Sequence, residues 1–203
     1  MQSASRVLLI LRFIMHSLVI FASGRGSNAA AIIDYFKANP IAQVDLIVTN
    51  KADAGVLDIA KNEHIPFLIV DRTTFNQQLL VDQLLSYKPS LIVLAGFLWK
   101  IPDGIIAAFR NKIINIHPAL LPAFGGKGMY GHHVHNAVLA EKKKESGITI
   151  HYVDEVYDNG DVVVQARCRV LEHDSADSLA ARIHKLEHFF FPRAIEYLLT
   201  SAE

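Results

Sequence analysis

An amide and an imidazole stand two residues apart, Asn115 and His117, within the run Lys112-Ile113-Ile114-Asn115-Ile116-His117-Pro118-Ala119-Leu120-Leu121-Pro122. The apolar part of this run is too short for a helix and is followed by prolines, so it reads as a buried strand. Side chains i and i+2 of a strand share a face, and Pro118 biases His117 toward extended backbone. Ligands of open α/β sheets bind beyond the carboxyl ends of the strands. An amide beside an imidazole at such a place suits acyl transfer: the amide steadies an oxyanion and the imidazole moves a proton. Taken alone, the same pair fits equally well a loop-anchoring amide and a buried histidine bonded to a carbonyl.

A second cluster lies near the start. Ser23-Gly24-Arg25-Gly26-Ser27-Asn28 follows an apolar run at 17–22 and precedes helix-forming residues at 29–37. Strand, glycine-rich turn and helix together present backbone N–H groups and a helix N-terminus to an anion. With Ala29 the loop fits G-x-G-x-x-G/A, the dinucleotide fingerprint. That fingerprint also needs an acid ending the next strand, and here the strand at 44–49 ends in Thr49-Asn50-Lys51. Asp53 comes later, where capping the next helix is its expected role. The loop therefore suits one phosphate held by Gly26, Ser27 and Asn28; a tight turn that binds nothing is the plainer alternative.

Asp158, in Tyr157-Asp158-Asn159-Gly160, has the sequence of an Asx-turn. Its functional alternative is a carboxylate beside His117, which would raise the imidazole pKa toward use as a general acid near neutral pH. The chain has ten histidines. The group His132-His133-Val134-His135 lacks helical i, i+4 ligand spacing, a cysteine pair and H-E-x-x-H, so surface or loop histidines and no metal are expected.

The elements that must position these groups alternate. Strands are expected at 17–22, 44–49, 67–70 and 91–95, and helices at 29–37, 54–62, from Thr73 or Thr74 to Tyr87, and at 103–109. Such alternation implies a parallel, right-handed βαβ sheet. After Pro122 the pattern changes. Residues 124–131 hold four glycines and read as a flexible loop, followed by a helix at 132–141 whose charged end is 141–145. Strands at 147–153 and 162–170 then form an antiparallel hairpin across Asp158-Asn159-Gly160. A final amphipathic helix runs over 176–199, capped by Ser175 or Asp174, with a kink at Pro192.

With 203 residues, 51% of them hydrophobic, the chain reads as one domain with a substantial core. Lys+Arg and Asp+Glu are equal at 20 each, which leaves no electrostatic footprint for nucleic acid. The single cysteine, Cys168, excludes an internal disulfide and suits a reducing, cytoplasmic setting. Its alternating context makes it a packed thiol. Residues 7–15 resemble a weak signal-peptide core, but Arg12 interrupts it and no small-residue cleavage site follows. An N-terminal extension over 1–14 and a domain over 15–203 are expected, with no membrane span.

These residues resemble a known family. Ser23-Gly24-Arg25-Gly26-Ser27-Asn28, Asn50-Lys51-Ala52-Asp53-Ala54, Ala95-Gly96-Phe97, Asn115-Ile116-His117-Pro118-Ala119-Leu120-Leu121-Pro122, His151-Tyr152-Val153, Asp158 with Gly160, and Glu187-His188 with Pro192 are similar to the folate-dependent phosphoribosylglycinamide formyltransferases. The resemblance implies a single-domain, open, mostly parallel Rossmann-like sheet with an antiparallel hairpin near its C-terminal end. It implies formyl transfer from 10-formyltetrahydrofolate to the amine of glycinamide ribonucleotide in purine biosynthesis, without metal. Asn115, His117 and Asp158 then match the catalytic trio. Gly26, Ser27 and Asn28 match the phosphate loop, and Glu187 matches a ribose-holding residue. Phe97, Leu98, Trp99, Lys100, Ile101, Asn115 and Val153 match the folate pocket. Two places depart from the family pattern: the longer loop at 124–131, and Leu98-Trp99-Lys100-Ile101-Pro102 in place of the usual Met-Arg-Ile-Leu.

The partners so implied are small molecules, with the chain a monomer or homodimer. Among rivals, methionyl-tRNA formyltransferase would bring a further C-terminal domain and basic charge. Formyltetrahydrofolate hydrolase would bring an N-terminal regulatory domain and a second histidine where this chain has Pro118. A sugar-nucleotide formyltransferase would need a different phosphate arrangement. Outside that class, the rival is a nucleotide-binding module that uses residues 24–29 without transfer chemistry. The readings part on one observation: whether Asn115, His117 and Asp158 meet in one cleft with residues 26–28 at its far end.

Overall fold

In the computed structural model, residues 15–201 are described; the extension expected over 1–14 lies outside the described residues. Seven strands form one sheet in the order β3-β2-β1-β4-β5-β6-β7. They are β1 (His16–Phe21), β2 (Ala42–Thr49), β3 (Phe67–Ile69), β4 (Leu91–Leu94), β5 (Ile113–His117), β6 (Glu145–Tyr152) and β7 (Val162–Arg169). The first five run parallel, β6 runs antiparallel to β5, and β7 antiparallel to β6. The helices are α1 (Ser27–Ala38), α2 (Val56–Asn62), α3 (Gln78–Ser86), α4 (Asp103–Ala108), α5 (His132–Ala140) and α6 (Ala176–Thr200).

Each central strand is apolar on both faces because helices cover both. Leu18, Ile20, Val93, Ile114, Ile116, Ile148 and Ile150 pack under α1 and α6, whereas Val19, Phe21, Ile92, Leu94 and Ile113 face Leu80, Leu84, Ile105 and Ile106 of α3 and α4. The chain winds outward from β1 through β2 to β3, then returns to place β4 on the other side of β1. Beyond the carboxyl ends of β1 and β4 the connections leave in opposite directions and open a crevice, which is where such sheets bind ligands.

Three local expectations differ from the structure. The helix expected from Thr73 or Thr74 to Tyr87 is a 3-10 turn at Thr74–Asn76 followed by α3. The cap belongs to Asp71, whose Oδ1 accepts the backbone N–H groups of Thr73 (2.9 Å) and Thr74 (2.8 Å); a carboxylate satisfies two orphan donors at once. Asp53 does not cap α2, since Gly55 holds the N-cap position. Glu145, expected at the solvated end of α5, opens β6, where it pairs with Arg169 in the ladder and bonds Arg167 at 3.1 Å. Helix α6 follows its sequence signals closely. Ser175 and Ser178 form a reciprocal capping box, and the helix runs on through Pro192.

Candidate active site

A cavity of about 640 Å³ opens at the carboxyl ends of β1, β4 and β5. Its walls include Gly24–Asn28 with His184 and Glu187, the group Asn115, His117, His151 and Asp158, and the stretch Phe97, Leu98, Trp99, Lys100 and Ile101 with Val153. Every residue singled out from the sequence for catalysis, phosphate, ribose or donor binding thus borders one space.

The candidate catalytic group joins strand β5 to the segment between β6 and β7. Strand β5 carries Asn115 and His117 on the face of Ile113, while Ile114 and Ile116 fill the opposite core, as the two-residue period dictates. His117 is buried. Its Nε2 lies 2.7 Å from the Phe124 carbonyl, which can only accept, so Nε2 carries the proton. Its Nδ1 therefore faces Asp158 Oδ2 at 3.5 Å. Asp158 adopts the left-handed region (φ 53°), which Asp tolerates better than most residues. Its Oδ2 also accepts the Gly126 amide at 2.8 Å, tying the 124–131 loop to the imidazole. A Cβ at Gly125 would stand 2.6 Å from Leu121 Cδ2 and 3.2 Å from Asp158 Cβ, so a larger residue there would have to displace the Leu121 side chain beside Asp158.

The Asx-turn expected at Asp158 belongs instead to Asp154. Asp154 Oδ1 accepts the Val156 amide (2.8 Å) and its Oδ2 accepts the Asn159 side chain (2.9 Å). Asp158 is left free to face His117. The expected rise in the His117 pKa is not what results. Burial lowers it, and the opposing push from Asp158 and the Phe124 carbonyl does not make up the loss; His151 lowers it further. The imidazole rests neutral near pH 7 beside an ionised carboxylate. Burial pushes the Asp158 carboxyl up, but the hydrogen that the His151 ring offers in its charged form, the charged form of His117 and the Gly126 amide outweigh it and hold it below its usual range.

His151 also borders the cavity; the sequence reading matched it to the family without giving it a role. It sits opposite Asn115 in the β5–β6 register. Its Nδ1–H donates to the Tyr152 carbonyl at 2.8 Å, so in the uncharged ring Nε2 accepts, and Asn115 Nδ2 supplies the hydrogen at 3.1 Å. Asp158 Oδ1 lies 3.7 Å from the same Nε2. The signal available in sequence was only a histidine in an alternating strand; its meeting with Asn115 depends on the pairing register.

At the loop end, Gly26 is the N-cap of α1 with φ 81°, and no side chain caps the helix. A Cβ at Gly26 would lie 2.8 Å from Val56 and 2.9 Å from Ile59, so only glycine lets the loop pack on α2 while its amides face the cavity. Asn28 Nδ2 donates to Glu187 Oε2 at 2.9 Å, and both residues are buried. Burial raises the Glu187 pKa, against the pull of Asn28 and His188. Ser23, likewise given no role from sequence, accepts the Leu98 amide on its Oγ at 3.0 Å and so fastens this loop to the one after β4.

The wall that follows β4 is aromatic. Phe97 packs edge-on to Phe21 at 5.3 Å and lies 5.4 Å from Phe75, which lies 5.4 Å from Trp99. The Arg72 guanidinium covers the Trp99 ring at 4.1 Å. Flat apolar walls with few polar groups suit a planar heteroaromatic ligand. Of the histidines expected at the surface, His132 and His133 are exposed. His135 is not: it is 2% exposed, and burial first, then the positive forms of His132, His184 and His117, lower its pKa to about 4. Among the described residues no group of His, Cys, Asp and Glu is arranged to hold a metal, and no helix is long and apolar enough to cross a membrane.

Comparison with known proteins agrees with this geometry. The family profile described as "Formyl transferase" matches residues 16–195. The chain is 41% identical over 187 residues to the chloroplastic phosphoribosylglycinamide formyltransferase of Vigna unguiculata; the match covers 89% of this chain and 60% of that protein's length. To the Bacillus subtilis phosphoribosylglycinamide formyltransferase it is 39% identical over 191 residues, 91% of this chain and 95% of the relative. The crystal structure of the Bacillus halodurans phosphoribosylglycinamide formyltransferase superposes with a TM-score of 0.84 at 35% identity, covering 92% of this chain and 97% of the other. Two antiparallel strands closing a parallel sheet, a histidine–carboxylate pair at its carboxyl edge and these likenesses agree: the chain belongs to the formyl transferase family and, within it, to the phosphoribosylglycinamide formyltransferases.

Proposed function

We propose that the protein transfers the formyl group of 10-formyltetrahydrofolate to the primary amine of 5'-phosphoribosylglycinamide, a step of purine biosynthesis. One observation carries the reading: Asn115, His117 and Asp158 border the same cavity as the Gly26–Asn28 loop and the Phe97–Trp99 wall. The acceptor's phosphate lies over Gly26, Ser27 and Asn28, and Glu187 takes its ribose hydroxyls. The donor's ring system lies against Phe97, Leu98, Trp99, Lys100, Ile101 and Val153, bringing its formyl carbon to Asn115.

The chemistry follows from the resting protonation. The amine nitrogen bonds to the formyl carbon and the carbonyl π pair moves onto oxygen. The Asn115 N–H not spent on His151 steadies that oxyanion, an interaction whose loss costs about 2.7–4 kcal/mol of barrier. The attacking nitrogen must then shed a proton and the folate nitrogen must gain one before the carbon–nitrogen bond to folate breaks. Neutral His117 offers a lone pair at Nδ1 for the first transfer, and Asp158 stabilises the imidazolium until the second. No proton is gained or lost overall and no covalent enzyme intermediate forms; holding both substrates in register supplies much of the rate. A cytoplasmic setting suits the unpaired thiol of Cys168.

The test is donor consumption by purified protein with glycinamide ribonucleotide and 10-formyltetrahydrofolate, beside His117→Ala. Turnover that needs the amine and is lost in the variant is expected. Donor breakdown without amine would replace this reading with the hydrolase, and no consumption at all would leave a binding module.

A further inference from the structure

Helix α6 presents two residues to the cavity one turn apart, Glu187 and His184. Glu187 is engaged by Asn28, while the half-buried His184 ring stacks on His188, 6.3 Å away at 12°. The groups gathered about His184 are nearly all cationic or able to become so. Arg25 comes from the glycine loop and His132 and His135 from α5, alongside His188 of α6 itself. The acids near them are Glu187, held by Asn28, and Asp177, which sits 3.7 Å from His132 at the surface. The strands beneath α6 offer Ile148, Ile150 and Ala166, with Val164 and Cys168, whose thiol burial keeps protonated, packed beside them. Two buried wall atoms of the same cavity, Asn28 Oδ1 and His135 Nδ1, have no partner.

A gathering of unneutralised bases around the open N-terminus of α1 is unfavourable until an anion arrives. Resting on the reading of the acceptor as a phosphate monoester, we propose that His184 is a specificity-determining residue of the acceptor site, which recognises the second negative charge of the phosphate by taking up a proton as the dianion binds. In the free protein, burial first, then Arg25 and His132, keep His184 below its ordinary pKa and hence neutral at pH 7. A dianion set between Arg25 and His184 cancels the repulsion and stabilises the imidazolium. Charge −2 is thus met by Arg25 and one newly bound proton, whereas a diester or carboxylate, carrying a single charge, gives less reason to protonate. The phosphate's own second pKa lies about 6, so its residual monoanion would release protons on binding, the opposite sign.

The experiment is calorimetric titration of ribose 5-phosphate into the full chain at about pH 7.5, in two buffers of different ionisation enthalpy, which counts the protons exchanged. Uptake approaching one proton is expected. His184→Lys should keep the affinity within about threefold while abolishing uptake, and His184→Gln should abolish uptake and weaken binding roughly tenfold. Binding without uptake by the parent protein, or unchanged uptake in His184→Lys, would overturn the proposal. A formyl-transfer assay on the same preparation separates the two readings: turnover without proton uptake removes this inference alone, and proton uptake without turnover removes the transferase reading alone.

Discussion

Asn115 donates one amide hydrogen to Nε2 of His151 across 3.1 Å, and this bond decides which end of the amide faces the cavity. His151 spends its Nδ1 proton on the Tyr152 carbonyl, so in the uncharged ring Nε2 accepts and the Asn115 carbonyl is disfavoured at that place. The second amide N–H is left for an oxyanion. Loss of an orienting partner typically costs about 10–100-fold. His151→Ala should therefore lower kcat by that order with KM little changed. Steady-state kinetics of His151→Ala, Asn115→Ala and the double variant check it, the double being less than additive.

The acid sensitivity of folding follows from His135. Its pKa near 4 in the folded protein lies below the ordinary 6.5, so the unfolded chain binds the proton more readily. This contribution is fully present above about pH 6.5 and is lost as pH falls toward 4, amounting to about 3 kcal/mol. His135→Gln should show a smaller drop in denaturation midpoint between neutral and acid pH than the parent protein. Equal drops in the two would remove His135 from the account.

Gly26→Ala meets two obstacles, a φ of 81° and side-chain atoms 2.8–2.9 Å from the new Cβ. Strain of about 1–3 kcal/mol is expected, together with a raised KM for the acceptor, because the loop amides shift. Thermal denaturation and acceptor KM measure the two effects. An unchanged KM would mean that this loop does not hold the phosphate.

Trp99 is the chain's sole tryptophan, so its emission reports on the aromatic end alone. Titration with a non-transferable folate analogue should change that emission in a saturable way, and Trp99→Ala should raise donor KM roughly tenfold without changing acceptor KM. An emission unmoved by saturating analogue, or a larger effect on the acceptor, would place the donor elsewhere.

Much of this was legible in the linear chain because its causes are local. Apolar runs bounded by Pro and Gly marked the strands, Ser175 marked the start of α6, and the two-residue period put Asn115 and His117 on one face. Asp158 illustrates the boundary. Its neighbours spell an Asx-turn, and only the folded hairpin shows that Asp154 fills that role. The direction of the His117 pKa was out of reach as well, since it is a balance between a neighbouring carboxylate and the depth of burial.

What the amino-acid order determined by itself was the alternation of elements, the glycine turn and the identity of the reactive side chains, all properties of short segments. Tertiary structure alone decided that His151 meets Asn115, that His135 is buried and that His184 shares a wall with Arg25. Those contacts depend on strand register and helix docking, which bring together groups far apart in sequence, and on the exclusion of water, which no short segment can achieve alone.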